Sequence, residues 1–440
     1  MDANPSDGQI QGRVPSIEYG EAKQSLSGEA VNASGHKQEL ERNFSLISIC
    51  AIGITTGNSW TAMGGSLNVA IYNGGPPGVI YEFIAVAICY WLVAASIAEL
   101  ASAMPSAAGV YHWASLTAGR YGRPVGWLAG YWNFFAWVFG AASMASILAN
   151  QTVSMYMLFN PELEPQAWHM FASNDFVWRD WENQTGYSSN GFVFVAGMLN
   201  GAYSVGNPDI TSHVAEEIPR LSRNIPKAVL AQMAVSFVTT ITYMVALLYS
   251  IHDLPAVLDN KSTFPLAEIY RQATNSRGGA LGASSSGWLS RVSTTSHNPF
   301  NATFICGCIV TVMGCIYVGS STAFSALVGS FVQLSSLSYT AAIMPHILSG
   351  RSSFRPGYFF MHGWVGYLVN AAAYLYMMAF IVIFSFPFAL PVTAQDMNYT
   401  SLITWGLTIF VGVWWLFRRR DYIGPRAIQL GEVMMAKDAI

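Results

Sequence analysis

Nine stretches of this chain are too long, too apolar and too free of charge to belong to the interior of a water-soluble domain: 44–72, 79–103, 125–149, 191–212, 228–251, 302–318, 322–345, 364–388 and 402–417. A helix needs about 20 mostly apolar residues to cross the hydrocarbon of a bilayer, and only Glu82, Glu99 and Asp209 place a charge inside any of the nine. Trp127, Trp364, Tyr399 and Trp414 fall near stretch ends, where amphipathic rings meet the lipid–water boundary. In lipid the backbone must satisfy its own polar groups, so such stretches fold as helices. The predicted fold class is all-α, a polytopic membrane helix bundle.

Composition narrows the function. Charged residues make up 10% of the chain, against about 25% in soluble domains, and no basic patch of the kind that holds nucleic acid occurs. The five cysteines, Cys50, Cys89, Cys306, Cys308 and Cys315, all sit in apolar runs without a CxxC spacing. They read as small buried hydrophobes, with a metal or redox role as the alternative. All eight histidines fall outside the nine stretches, and no nucleophile–base spacing accompanies them. An enzyme is therefore not expected, and neither a cofactor nor a metal. Residues 1–43 are polar and read as a disordered cytosolic tail, 44–417 as the membrane domain, and 418–440 as a basic cytosolic tail.

Lysine and arginine set the orientation. Arg42 ends the tail, Arg120 and Arg123 lie in loop 104–124, and Arg220, Arg223 and Lys227 lie in 213–227; these three segments read as inside. Loop 73–78 has no basic residue, and 150–190 has only Arg179 among five acids, so both read as outside. Counted onward through nine crossings, the pattern breaks. Arg351, Arg355 and the run Arg418, Arg419 and Arg420 then fall outside. One further crossing between 252 and 301 would return them all, yet 277–292 (RGGALGASSSGWLSRV) holds nothing able to span. Either the charge rule fails here or a helix has gone. The sequon at Asn183 lies in a loop placed outside, where glycosylation would report the orientation.

Two stretches are interrupted by glycine. The first reads AIGITTGNSW at 51–60, and the fourth NGAYSVGNPD at 200–209. Backbone groups freed at membrane depth must bond to something, and transporters use such breaks to hold substrate and ion. The alternative is close packing through small residues, which is the reading for GWLAG at 126–130. The candidate substrate-binding residues are Gly53, Ile54, Thr55, Thr56, Gly57, Asn58, Trp60, Tyr203, Ser204 and Gly206. Trp60 and Tyr203 flank the breaks, where an aromatic pair could hold an ammonium group or simply fill apolar core. Asp209 and Glu99 are the coupling or gating candidates. Asp209 could equally be solvated by the nearby loop, Glu99 reads as close to the interface, and Glu82 reads as solvated near the outer end.

With these motifs the chain resembles the amino acid–polyamine–choline permease superfamily, and within it the fungal branch of choline and 4-aminobutyrate permeases. The resemblance rests on GITTGNSW (53–60), AELASAMPSAAGVYHW (98–113), GWLAGYWNFFAWVFGAASMAS (126–146), GFVFVAGMLNGAYSVGNPD (191–209), HVAEEIPRLSRNIPKA (213–228), HNPFNATF (297–304) and GCIYVGSSTAF (314–324). It implies a proton- or cation-coupled symporter for a small amine or amino acid such as choline or 4-aminobutyrate. Such a carrier has twelve helices, the first ten arranged as two inverted repeats, with substrate between the broken first and sixth. It also implies a multi-pass plasma-membrane protein with a cytosolic N-terminus, whose partners are that small molecule and membrane lipid. Against the family register, QAWHMF (166–171) is followed at once by SNDFVWRDW (173–181), the lead-in to the sixth helix, so the fourth and fifth are absent. RGGALG (277–282) is followed by ASSSGWLS (283–290) where the eighth should stand. About nine of twelve helices remain. A second reading follows, a shortened permease that binds ligand or senses it without transporting.

Overall fold

The computed structural model describes residues 23–24, 30–31, 44–158, 172–215, 220–251, 321–352, 354, 356–394, 396–422 and 424. The stretch 302–318, Arg355 and the segment 277–292 lie outside the described residues. In the first 43 residues the described part is a two-residue antiparallel pair, β1 (Lys23–Gln24) with β2 (Ala30–Val31).

The first span is two half-helices. Ser45 caps α1 (Leu46–Gly57), accepting from the Ser48 amide at 3.2 Å. The helix stops because Asn58 turns left-handed (φ 38°, ψ 42°), a conformation asparagine tolerates better than most residues. α2 (Ser59–Tyr72) starts at once on the other side. Asn73 and Gly74 form β3, and Gly74 and Gly75 both take positive φ before Pro76 and Pro77 launch α3 (Gly75–Ala103). Proline suits the first turn, where its missing N–H costs nothing. α4 (Gly109–Thr117) is a short, largely buried helix, anchored by the Trp113 indole donating to the Met104 carbonyl at 2.8 Å. After a single 3-10 turn comes α5 (Gly122–Leu158).

On the far side, α6 (Asn174–Trp178) leads to β4 (Glu182–Asn183), which pairs with β3 (Asn73↔Asn183, Gly74↔Glu182). α7 (Asn190–Val205) is capped by Ser189 and ends in an irregular stretch before a 3-10 turn at Ile210–Ser212. α8 (Leu221–Tyr249), α9 (Ser321–Leu348), α10 (Gly363–Ile383) and α11 (Thr400–Arg418) complete the set. Five of the described helices, α3, α8, α9, α10 and α11, are individually long and apolar enough to cross a membrane. α9 is the central helix, buried along most of its length, and packs on α5, α4 and α10. α11 lies at the rim, with Leu402, Ile409 and Phe417 facing outward. The chain is thus an all-α membrane helix bundle.

Contacts between helix ends sort the chain into two faces. On one, the Ser102 hydroxyl donates to the Ser222 carbonyl at 2.7 Å, Arg351 pairs with Glu99, and Arg123 reaches the carbonyls of Arg419 and Tyr422. This basic face therefore gathers Arg120, Arg123, Arg220, Arg223, Lys227, Arg351 and the run from Arg418. On the other, Tyr249 at the end of α8 meets Ala172, Asn174 and Trp178, and Leu390 donates to Thr185 at 2.7 Å. Arg179, paired with Asp175, is the one basic residue there among the described residues.

Counting nine crossings puts Arg351 and the Arg418 run on the opposite face, whereas the structure places them on the basic face. α8 ends on the opposite face, whereas α9 ends on the basic face. A 28-residue helix rises about 42 Å, so α9 begins on the opposite face too. Ile251 and Ser321 therefore lie on the same side of the bundle. The basic residues that the charge rule assigns to one side thus share one face among the described residues.

Candidate functional site

The two breaks meet. Asn58 separates α1 from α2, and Gly206–Asp209 separates α7 from the 3-10 turn. Ser204 joins them, its hydroxyl donating to the Ser59 carbonyl at 2.6 Å. The first break lies one residue beyond the predicted bracket: Gly53, Ile54, Thr55 and Thr56 are within regular α1, and the Thr55 hydroxyl bonds back to the Ala51 carbonyl at 2.7 Å. Gly53 has a packing reason to be glycine, since a Cβ there would lie 2.7 Å from the Thr211 methyl. Gly53 and Gly57 both face Gln232 of α8, while Thr55, Thr56 and Trp60 are exposed.

Side chains from three further helices satisfy the broken backbone. Gln232 donates to the Asn207 carbonyl at 3.0 Å. Tyr339 of α9 donates to the Gly206 carbonyl at 3.4 Å and to Asp209 Oδ1 at 2.6 Å. Asn133 of α5 donates to Asp209 Oδ2 at 3.1 Å, and His213 Nε2 lies 3.3 Å from the same oxygen. Asp209 is fully buried, so the reading in which the loop solvates it is overturned. The Ser204–Ser59 bond brings the partially negative C-terminal end of α7 to the junction of α1 and α2, where α1 ends partially negative and α2 starts partially positive.

Trp60 and Tyr203 do not pair. Trp60 packs edge-on against Tyr243 of α8 at 5.5 Å, whereas Tyr203 is buried against Phe331 with its hydroxyl 2.7 Å from Ser143. The predicted aromatic pair is instead two separate contacts. GWLAG packs as expected, Gly126 on Ser115 and Gly130 on the Tyr111 ring.

Glu99 anchors a second cluster at the basic face. It is fully buried rather than interfacial, pairs with Arg351 and accepts from the Asn370 amide at 3.1 Å, with His346 Nε2 3.9 Å away. The Arg351 guanidinium also reaches the Met361 carbonyl and lies over the Phe360 ring, 4.4 Å from its centre. His346 is therefore inside α9, correcting its placement beyond the span. Glu82 is a third surprise. Predicted to be solvated, it is 2% exposed and packs against Gly197 of α7, with neither carboxyl oxygen hydrogen-bonded.

Gln232, Tyr339, Asn133 and Asn370 were not singled out from sequence. Each is a hydrogen-bonding side chain in a charge-free apolar run, and searching those runs for amides and phenols as well as charges would have found them.

Comparison with known proteins assigns the chain to a family. The profile of the amino acid permease family matches residues 44–173 and 276–408. The chain belongs to that family. It is 28% identical to a choline transporter of Saccharomyces cerevisiae, over 88% of this chain and 83% of that one. It is 24% identical to the amino-acid permease BAT1 of Arabidopsis thaliana, over 89% and 94%. A 7-keto 8-aminopelargonic acid transporter of Saccharomyces cerevisiae is 23% identical, over 83% and 90%. Among solved structures, the manganese transporter of Eremococcus coleocola aligns with a TM-score of 0.45 at 14% identity, over 88% of this chain and 98% of that one.

The alignment with the yeast choline transporter spans 472 positions, to which 88% of 440 residues, or roughly 387, are contributed by this chain. At roughly 85 positions, 472 less 387, the relative has a residue and this chain has none, room for about three crossings with loops.

Proposed function

We propose that this chain descends from, and retains the substrate site of, a proton- or cation-coupled symporter for a small amine or amino acid such as choline or 4-aminobutyrate. The observation that carries the reading is the meeting of two helix breaks over buried Asp209. Two partially negative helix ends and a carboxylate suit an ammonium group, and the start of α2 suits a carboxylate. Gly57, Asn58 and Ser204 border the substrate, Asp209 balances its charge, and the Glu99–Arg351 pair closes the basic face. The basic face is cytosolic, as is the N-terminus, and the membrane is the plasma membrane.

A second reading has its own support. The roughly 85 unmatched positions are enough for three helices with their loops, the number expected to be absent. Thr55 and Thr56 at the end of α1 and Trp60 at the start of α2 stand exposed. A chain lacking those helices would bind ligand without moving it.

One experiment separates the two. Purified full-length chain is reconstituted in liposomes and given labelled choline or 4-aminobutyrate under an inward proton gradient, and ligand-dependent thermal stabilisation is measured alongside. Uptake supports the symporter, and stabilisation without uptake supports the non-transporting form. Neither signal with any small amine or amino acid removes the site itself. Sequencing the transcript across codons 171–173 and 282–284 tests the missing helices directly.

A further inference from the structure

We propose that Glu82 is a proton-binding site of this permease, and that its occupancy is linked to the seating of half-helix α7 on α3. The proposal rests on the transporter reading above for its link to substrate, but its chemistry stands on the α3–α7 seam alone.

That seam is built from glycine on one side. Gly197, Gly201 and Gly206 run along α7 and its break, while Glu82, Val86 and Tyr90 run along α3. A Cβ at Gly197 would strike the Glu82 carboxyl, one at Gly201 would strike Val86, and one at Gly206 would lie 3.2 Å from the Tyr90 hydroxyl. The carboxyl group therefore fills a slot that glycine leaves open. The same half-helix carries Ser204 to the substrate break, two turns further on.

No counter-charge among the described residues reaches the slot. Among the described residues, α7 contributes only the Tyr203 phenol, α2 only Tyr72, and α10 only tyrosines. On α3 itself, Tyr81 is spent on the Trp178 carbonyl, and Glu99 lies at the other end. Arg223 and Lys227 sit at the basic end of α8, which otherwise offers Tyr243 and Tyr249, and His346 sits at the basic end of α9 with Tyr339 in mid-helix. Asp175 on α6 is paired with Arg179, and Glu182 on β4 accepts from Gln184. On α4, burial pulls His112 down to about 4, leaving it uncharged at neutral pH. None of these groups bonds Glu82.

An unpaired buried charge is costly, whereas a carboxylic acid is an ordinary polar group. A change in proton occupancy therefore changes how well α7 packs on α3. The carboxylate form needs water, which reaches Glu82 only when α7 lifts, and the departing proton goes to that water. Loading and seating are two sides of one equilibrium.

Infrared difference spectroscopy on the full-length chain in lipid nanodiscs tests this. The carbonyl band of a protonated carboxylic acid is expected in the wild type, absent from Glu82→Gln and shifted in Glu82→Asp, and it should fade as pH rises. Over the same range, hydrogen exchange of α7 amides, corrected for its intrinsic pH dependence, should rise by about tenfold in the wild type and stay flat in Glu82→Gln. A band unchanged by Glu82→Gln, or equal exchange profiles in both proteins, overturns the proposal. Choline binding, measured in parallel by calorimetry, reports on the transporter reading alone. Band and exchange changes without choline binding would uphold the proton site while that reading falls.

Discussion

Glu82 and Glu99 lie on one helix, roughly 25 Å apart along its axis, and α3 buries both, yet in opposite ways. Glu99 is enclosed by an arginine, an amide and an imidazole, and its surroundings come from α9, α10 and the loop between them. Glu82 faces a glycine and bonds nothing. Membrane burial of a carboxyl group is thus achieved once by neutralising the charge with a partner and once by leaving room for the uncharged acid. The partnered site is rigid and ties elements together. The unpartnered one responds to what its surroundings supply.

The largest effect expected from breaking this contrast is at Arg351. Arg351→Ala strands a buried charge and should cost about 3–5 kcal/mol of stability, read as a lowered thermal midpoint in detergent. The double variant Glu99→Gln/Arg351→Met should recover most of it, and an unchanged midpoint in the single variant would remove Glu99 from the partnered class. Asp209 extends the comparison, being partnered by neutral donors and His213. Asp209→Asn should weaken choline binding by about 2–3 kcal/mol, measured by calorimetry, while leaving the fold intact by circular dichroism. Gly197→Ala forces the Glu82 side chain aside and should cost about 1–3 kcal/mol. That loss should shrink in a Glu82→Ala background, a coupling that a thermal double-mutant cycle detects. Tyr339→Phe removes one hydrogen bond to Asp209 and should cost about 1–1.5 kcal/mol in the same assay. Smallest is Glu82→Gln, expected to lie within about 1 kcal/mol of wild type, because no charge pair is lost; a drop as large as that of Arg351→Ala would erase the contrast.

How much of this was legible depends on range. Spans were readable because lipid demands long charge-free runs, and 79–103 and 364–388 differ from α3 and α10 by only a few residues at each end. The breaks were readable because glycine, proline and asparagine cluster at 53–58 and 201–208, although only the coordinates place the first at Asn58 rather than between the glycines. What sequence could not give was partnership. Nothing local to Glu99 announces Arg351, 252 positions away in sequence. Nor does anything near Glu82 announce the absence of a cation. The family register raises the expectation of missing helices from two motif junctions alone, and the shared side of Ile251 and Ser321 adds geometry to the charge pattern. Trp60 and Tyr203 show the converse error, since closeness to the same site was mistaken for contact.

Asn58 has a mechanical consequence. A single left-handed residue connects α1, which leans on α8, to α2, which packs on both α7 and α8. The first span therefore behaves as a crank with one pivot and not as a strut. A relative displacement of α7 and α8 is converted at that pivot into a change of angle, and the angle opens or pinches the space beside Ser59 and Asp209 without unwinding either arm.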